Sequence, residues 1–360
     1  MLSINRAWFI FILLKIVYML LAIFVYSKFT QLGDTYTYLA GGQEFSLETF
    51  FHSTKLMVFV AGNLSYILGG VLANLPFLIL AVYGVYLPIK KLNLSQQQLI
   101  VLLFFLSFPS YSIWTSIASK EAVTVFFLGG LLSCFIDYSR SNKVVNKFLL
   151  VLCLYLAVVF KPQYILVIAF IFQFVFICRA FRFEPLGKTV YFALNVLLVF
   201  FILYFFKDKI NELSFILPLH FDSDGGSTRV NDIWVRDYDF FYNAPYGMFV
   251  AFYGPTLVEA ISKPAHFLVW FESAIILLFF IYFMIKIMCQ FFVNKKINIY
   301  KVSLFLIVFI GFLFVHYPFG ALNYGSAIRY REGFYPFLVI WLFYLSFCRS
   351  NYIKVFRGRS

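Results

Sequence analysis

Residues 323–338 read NYGSAIRYREGFYPFL and set two guanidiniums, Arg329 and Arg331, beside the Glu332 carboxylate in otherwise almost wholly apolar surroundings. Arginine keeps its charge at any relevant pH, and its planar fork matches the oxygens of a phosphate. A cation this close to hydrocarbon is costly unless paired or wetted, and one carboxylate neutralises only one of the two. One reading is an Arg–Glu ion pair with a neighbour that snorkels. The other is a clamp on a phosphate-bearing ligand, with Arg329 and Arg331 converging on one anion if Tyr330 turns outward or the chain is irregular.

Three more short stretches carry chemistry. In GDTYTYLAGGQEFSLETFF, Asp34 follows the first long apolar run, with Tyr36 and Tyr38 behind it and a Gly41-Gly42 break. Asp34 is a general base, an acceptor for a sugar hydroxyl, or a plain loop carboxylate. Ser46 and Thr49 are placed to cap a short helix, although the capping-box position holds Thr and not Glu. In WTSIASKEA, Ser119 is an N-cap and Glu121 suits the positive end of the helix it opens, which is a sufficient structural account of Glu121. Lys120 faces the same boundary and can contact a phosphate. In FKPQY, Pro162 can start a helix while Lys161 snorkels or binds.

The stretch FDSDGGSTRVNDIWVRDYDFFYNAPYG joins Gly225, Gly226, Ser227 and Thr228, a potential anion-binding nest, to Arg229 and Arg236. Asp222, Asp224, Asp232, Asp237 and Asp239 match no EF-hand spacing, so no metal is expected. Trp234, Tyr238, Tyr242 and Tyr246 offer flat faces for sugar rings or for the membrane interface.

The elements that position these residues must be helices. Of 360 residues 62% are hydrophobic, 22% aromatic and only 12% charged, against roughly 25% charged in a soluble domain. Apolar runs long enough for a ~30 Å hydrocarbon layer recur along the chain, too long and smooth for an outer-membrane barrel. The expected fold is all-α: a single polytopic bundle over residues 1–360, with about ten spans near 8–27, 69–88, 98–114, 121–138, 148–161, 163–178, 189–206, 267–288, 299–316 and 333–348. Residues 55–69 are apolar but broken by Gly62, Asn63 and Ser65, and are predicted to be interfacial or re-entrant. The first run is too long for a signal-peptide core and is read as a retained helix. Cys134, Cys153, Cys178, Cys289 and Cys348 lack CxxC spacing and are predicted to be small buried apolar residues.

One set of helix ends carries seventeen cations against Asp137 and Glu184, and by the positive-inside rule it is cytoplasmic, together with both termini. The other, external set carries eleven cations against fourteen carboxylates. The net charge of +13 is therefore topology, and nucleic acid is not implied. The external side has a first segment at 28–68 and a large late loop at 207–266. The chemistry is expected there, because the cytoplasmic connections are short and basic.

The phrases GDTYTYL, WTSIASKEA, FKPQ and GSAIRYREGFYPFL, with this aromatic-rich helical composition and late external loop, resemble the bacterial O-antigen and capsule repeat-unit polymerases, the Wzy proteins. The resemblance implies an inner-membrane, multi-pass glycosyltransferase whose active site faces the periplasm and polymerises undecaprenyl diphosphate-linked oligosaccharides, with no cofactor and with a chain-length regulator as partner. Under it, Asp34 or Glu121 activates the acceptor hydroxyl. Arg329, Arg331 and Arg229, with Lys120 and Lys161, hold the diphosphate, and Tyr36, Tyr38, Trp234 and Tyr238 meet sugars. The acidic residue after the first helix is also similar to the catalytic Asp of lipid-phosphate-dependent membrane glycosyltransferases, which implies a GT-C-like bundle and leaves a polyprenyl monophosphate sugar as an alternative donor. A lipid-linked oligosaccharide flippase or other transporter is the rival from another class, although only Lys15 lies clearly inside a span and no matching halves recur. An acyltransferase would need a His-centred activation motif that the sequence does not present.

Overall fold

A computed structural model describes residues 4–42, 45–141, 145–220, 228–262, 264–293 and 299–347. These form α1 (Ile4–Phe24), α2 (Thr35–Leu39), α3 (Ser53–Leu68), α4 (Leu75–Leu92), α5 (Gln96–Phe105), α6 (Pro109–Trp114), α7 (Lys120–Ser141), α8 (Lys147–Phe160), α9 (Pro162–Ala180), α10 (Pro185–Phe205), α11 (Lys207–Ile216), α12 (Asp239–Tyr242), α13 (Ala244–Tyr253), α14 (Leu257–Ser262), α15 (Pro264–Val293), α16 (Ile299–Gly320) and α17 (Tyr324–Phe347). Thr228 and Asn323 form an isolated antiparallel bridge.

Among the described residues, seven helices are long and apolar enough to cross a membrane: Ile4–Lys28, Leu72–Leu92, Lys120–Ser141, Pro162–Ala180, Leu186–Phe205, His266–Lys286 and Ser303–Gly320. The chain is thus an all-helical, multi-pass membrane protein, and three of the ten expected spans are not among these seven helices. Residues 98–114 divide into α5 and α6 because Pro109 sits at the first position of a new helix and the residue before it, Phe108, is extended. Helix α8 has fourteen residues, about 21 Å of rise. Residues 333–347 are the second part of α17, whose first turns carry Arg329, Arg331 and Glu332.

Helix α7 is the centre of the bundle, flanked by α4, α8 and α17. Its neighbours come close because small residues face each other without a favourable water-driven force to help them. A Cβ built on Gly129 would lie 1.9 Å from the carbonyl oxygen of Gly84 on α4, and one on Gly130 would lie 2.4 Å from the sulfur of Cys153 on α8. Helix α10 packs loosely at the edge, through the Gln173–Tyr191 hydrogen bond and a Phe174–Tyr191 stack at 5.8 Å.

The two ends of the bundle differ chemically. At one, Lys91 pairs with Asp137, and Arg179 donates to the carbonyls of Tyr138 and Ser139 at the C-terminal end of α7, where a cation complements the helix dipole. At the other, the α1–α2, α6–α7, α8–α9 and α16–α17 connections converge. Buried cysteines are found as expected at 134, 153 and 178, whereas Cys289 is exposed; Cys348 lies outside the described residues.

The described part of 207–262 folds as α11 to α14 over this second end. Ile233, Trp234, Phe240 and Ala244 form a small core with Tyr317, Ala321 and Leu322. Arg229 pins it: its guanidinium grips both oxygens of Glu259 and donates to the carbonyls of Gly320 (3.1 Å) and Ala321 (2.8 Å). It thereby satisfies the orphan carbonyls at the end of α16. Asp222, Asp224 and the Gly225-Gly226-Ser227 nest lie outside the described residues.

Candidate functional site

A cavity of about 190 Å³ opens where those four connections meet, lined among others by Asp34, Tyr38, Lys120, Glu121, Lys161, Gln163, Arg329 and Tyr330. All eight lie in three of the sequence stretches read above and in the opening arginine motif, and six of them, all but Gln163 and Tyr330, are the candidates named there. Three cations face two carboxylates, which leaves the cavity with one positive charge in excess.

Each side chain is placed by a local rule. Ser119 caps α7 as its sequence predicts: its hydroxyl accepts from the amide of Ala122 at 3.1 Å and donates to the carbonyl of Trp114. This fixes Lys120 and Glu121 on the first turn of α7, with Glu121 at the positive helix end and only 4% exposed. Lys120 donates to the Thr54 hydroxyl at 2.8 Å. The loop before α7 is held by Asn74, which accepts from the Ala118 amide, and by Thr35, which donates to the Ala118 carbonyl.

Asp34 ends the loop after α1 and opens α2, where Tyr38, one turn on, donates its phenol to Asp34 Oδ2 at 3.0 Å. Burial, and then the Asp34 charge, push the Tyr38 phenol upward from its ordinary pKa, so it stays a donor. The Asp34 side chain is about half exposed, at 55%, and Glu121 is enclosed. Of the two carboxylates, Asp34 is the one a ligand can reach.

Arg329 sits between them, 3.8 Å from Asp34 Oδ2 and 3.8 Å from Glu121 Oε1. Those separations are ion pairs without hydrogen bonds. Its buried Nε has no hydrogen-bond acceptor among the described residues, and its Nη2 donates to Tyr330 at 3.1 Å. A guanidinium held by charge, with donors left over, suits an oxyanion. Gly33 makes room for it: its φ is +56°, and a Cβ there would lie 2.1 Å from Arg329 Nη1.

Lys161 occupies the break between α8 and α9, where Pro162 begins the next helix as expected. It is 8% exposed, with its ammonium 4.1 Å from the centre of the Tyr330 ring. Burial pulls its pKa down to about 8, with Arg329 and Lys120 adding to the shift and Glu121 opposing it. Tyr330 therefore lines the cavity between two cations instead of turning outward. It, Gln163 and Gly33 were missed by the sequence reading, although each adjoins a residue that was found.

Arg331 lies apart from the cavity. Because α17 is a regular helix through this stretch, residues two apart point about 200° from each other, and Arg331 faces the protein interior, fully buried. It pairs with Glu332 (2.8 Å) and Glu272 (3.8 Å) and donates to Ser273 Oγ and the Phe252 carbonyl. It does not line the cavity. Nor do the other expected contacts on the large loop: Arg229 is taken up by Glu259 and α16, Trp234 is a buried core side chain bonded to Tyr317, and Tyr238 donates to Asp208 at 2.7 Å. Tyr36 is 52% exposed and also lies off the cavity. The predicted Ser46–Thr49 cap forms on a short 3₁₀ turn, with the Thr49 hydroxyl accepting from the Ser46 amide.

Fold and site together define a multi-pass helical membrane protein with an anion-suited cavity at one end of its bundle. No protein-family model matches the chain, and no curated protein and no solved structure matches it either.

Proposed function

We propose that this chain is an inner-membrane glycosyltransferase that polymerises undecaprenyl diphosphate-linked oligosaccharide repeat units into surface polysaccharide on the periplasmic face. The observation that carries the reading is the cavity, in which one accessible carboxylate, Asp34, lies beside Arg329, Lys120 and Lys161. In this reading the acceptor hydroxyl gives its proton to Asp34 as its oxygen attacks the anomeric carbon of the donor sugar. The bond from that carbon to the diphosphate oxygen breaks, and the lipid diphosphate leaves with the bonding pair. Arg329, Lys161 and Lys120 stabilise the charge that develops on it, and Glu121 holds Arg329 in place. A polyprenyl monophosphate sugar would use the same groups.

The test is the surface-polysaccharide ladder of cells without the chain, with it, and with Arg329→Ala. Loss of the ladder with a single repeat unit still attached to carrier or core supports the polymerase. A flippase draws support from the ionisable groups buried among α1, α15 and α17, Lys15, Glu272, Arg331 and Glu332. It predicts loss of even the single unit, with lipid-linked oligosaccharide trapped on the cytoplasmic side.

A further inference from the structure

Helix α3 is long and apolar yet built unlike a span. Its sixteen residues rise about 24 Å, short of a ~30 Å layer. The chain leaves one loop and returns to it: Thr54, in the first turn of α3, holds Lys120, and Asn74, six residues past the end of α3, holds Ala118. A segment that starts and finishes beside one loop makes no net crossing of the bundle. On its inner side, Met57, Ala61 and Gly62 are buried, and a Cβ on Gly62 would stand 2.7 Å from the Gly41 carbonyl.

Its outer side and the turn before it are unusually apolar. Phe51 and Tyr66 are each 79% exposed and Ile67 is 73% exposed, with Phe45, Leu47, Phe50 and Leu68 beside them. Residues 56–89 contain no charged side chain at all, and the charges just ahead, Glu48 and Lys55, pair with each other. Farther along the chain Leu72, Ile79 and Tyr83 are exposed too, on the candidate span Leu72–Leu92, so exposed apolar side chains lead from α3 into a candidate span. A patch of this kind on an aqueous surface would drive association.

We propose that residues 45–72 lie embedded in one membrane leaflet, on the cavity side of the bundle, with lipid acyl chains as the partner of their exposed face. If the cavity acts as proposed above, a lipid-borne anion then reaches it from the side, past the Thr54–Lys120 contact. The placement of α3 stands without that reading.

The experiment uses the full chain, with Cys289→Ser and Cys348→Ser, carrying Phe51→Cys, Ile67→Cys or, as a water-facing control, Val235→Cys. Each cysteine is labelled with a nitrobenzoxadiazole dye and the protein is reconstituted in phosphatidylethanolamine–phosphatidylglycerol vesicles. Doxyl-labelled lipid is expected to quench the dyes at 51 and 67 more than iodide does, with the order reversed at 235. Dithionite added outside is expected to bleach equal fractions at 51 and 67, because both sit in one leaflet. Quenching at both by iodide alone places the segment in water and overturns the proposal. Protection from both quenchers, which means a protein partner or second copy covers it, overturns it too, as do unequal dithionite fractions, which mean that α3 crosses.

Discussion

Arg329 owes its position to charge on both sides and to a glycine behind it, and each of these is separately testable. Under the proposed function, Arg329→Ala is expected to lower polymer formation by about 10²–10³-fold, the loss typical of one preorganised donor at a developing charge, while detergent-solubilised protein keeps its unfolding midpoint. Gly33→Ala puts a methyl group where Nη1 now sits and asks an alanine to hold φ of +56°. It is expected to cost roughly 1–2 kcal/mol of stability and to shorten the polymer without abolishing it, read from thermal unfolding and the polysaccharide ladder of the same variant. Lys161 gives a pH signature of two opposite signs. Its pKa is about 8 in the folded chain and 10.5 when unperturbed, so between those values the folded chain binds fewer protons than the unfolded one. The contribution of Lys161 to stability therefore rises with pH across that window. If Lys161 holds a diphosphate lipid as proposed, affinity for that lipid is expected to fall across the same window, as the ammonium is lost. Lys161→Met is expected to flatten both trends; a binding curve that keeps its slope in that variant removes Lys161 from the anion site.

At the scale of elements, the cavity depends on where α7 begins and how closely α4 approaches it. Ser119→Ala removes the cap that sets the first turn and is expected to cost about 0.5–2 kcal/mol, with polymerisation reduced because Lys120 and Glu121 lose their common anchor. Gly129→Val forces α4 and α7 apart at the Gly84 contact and is expected to cost about 1–3 kcal/mol or more, measured as a lower unfolding midpoint. The sequence made most of this layout readable, since apolar runs, the Ser119 cap and Pro162 act locally. The division of α5 from α6 was signalled by Pro109 but masked by apolar residues on both sides, which fit one span as well as two helices. The role of Arg229 was not readable, because its partner Glu259 is thirty residues away and nothing local marks either as half of a pair. Trp234 was ambiguous for a related reason. A tryptophan packs equally well on a sugar, a headgroup or Tyr317, and only the tertiary fold chooses.

For the whole molecule, the two arginines of the opening motif differ in surroundings, Arg329 lining the cavity and Arg331 lying fully buried among helices. Arg331 ties α17 to Glu272 and Ser273 on α15 and to the Phe252 carbonyl on α13, and Glu272 in turn accepts from the amide and hydroxyl of Ser110 on α6. Lys15, set in the buried stripe of α1 with Phe11 and Met19, donates to Thr115 at the end of α6 and lies 4.4 Å over the Tyr111 ring. One cluster of charges thus holds five helices, with both carboxylates ion-paired to a single guanidinium. Arg331→Met leaves Glu272 and Glu332 buried without their ion-pair partner and is expected to cost about 3–5 kcal/mol. Adding Glu272→Gln and Glu332→Gln removes the uncompensated charge and is expected to restore part of that loss, a non-additivity that a mutant cycle in detergent measures directly. Arg329→Ala, two residues earlier, is expected to do the reverse, silencing the ladder in a folded protein. If Arg331→Met kept the wild-type unfolding midpoint and still lost polymer, Arg331 would belong with the substrate after all, and the division of α17 into a ligand-facing side and a structural side would fall with it.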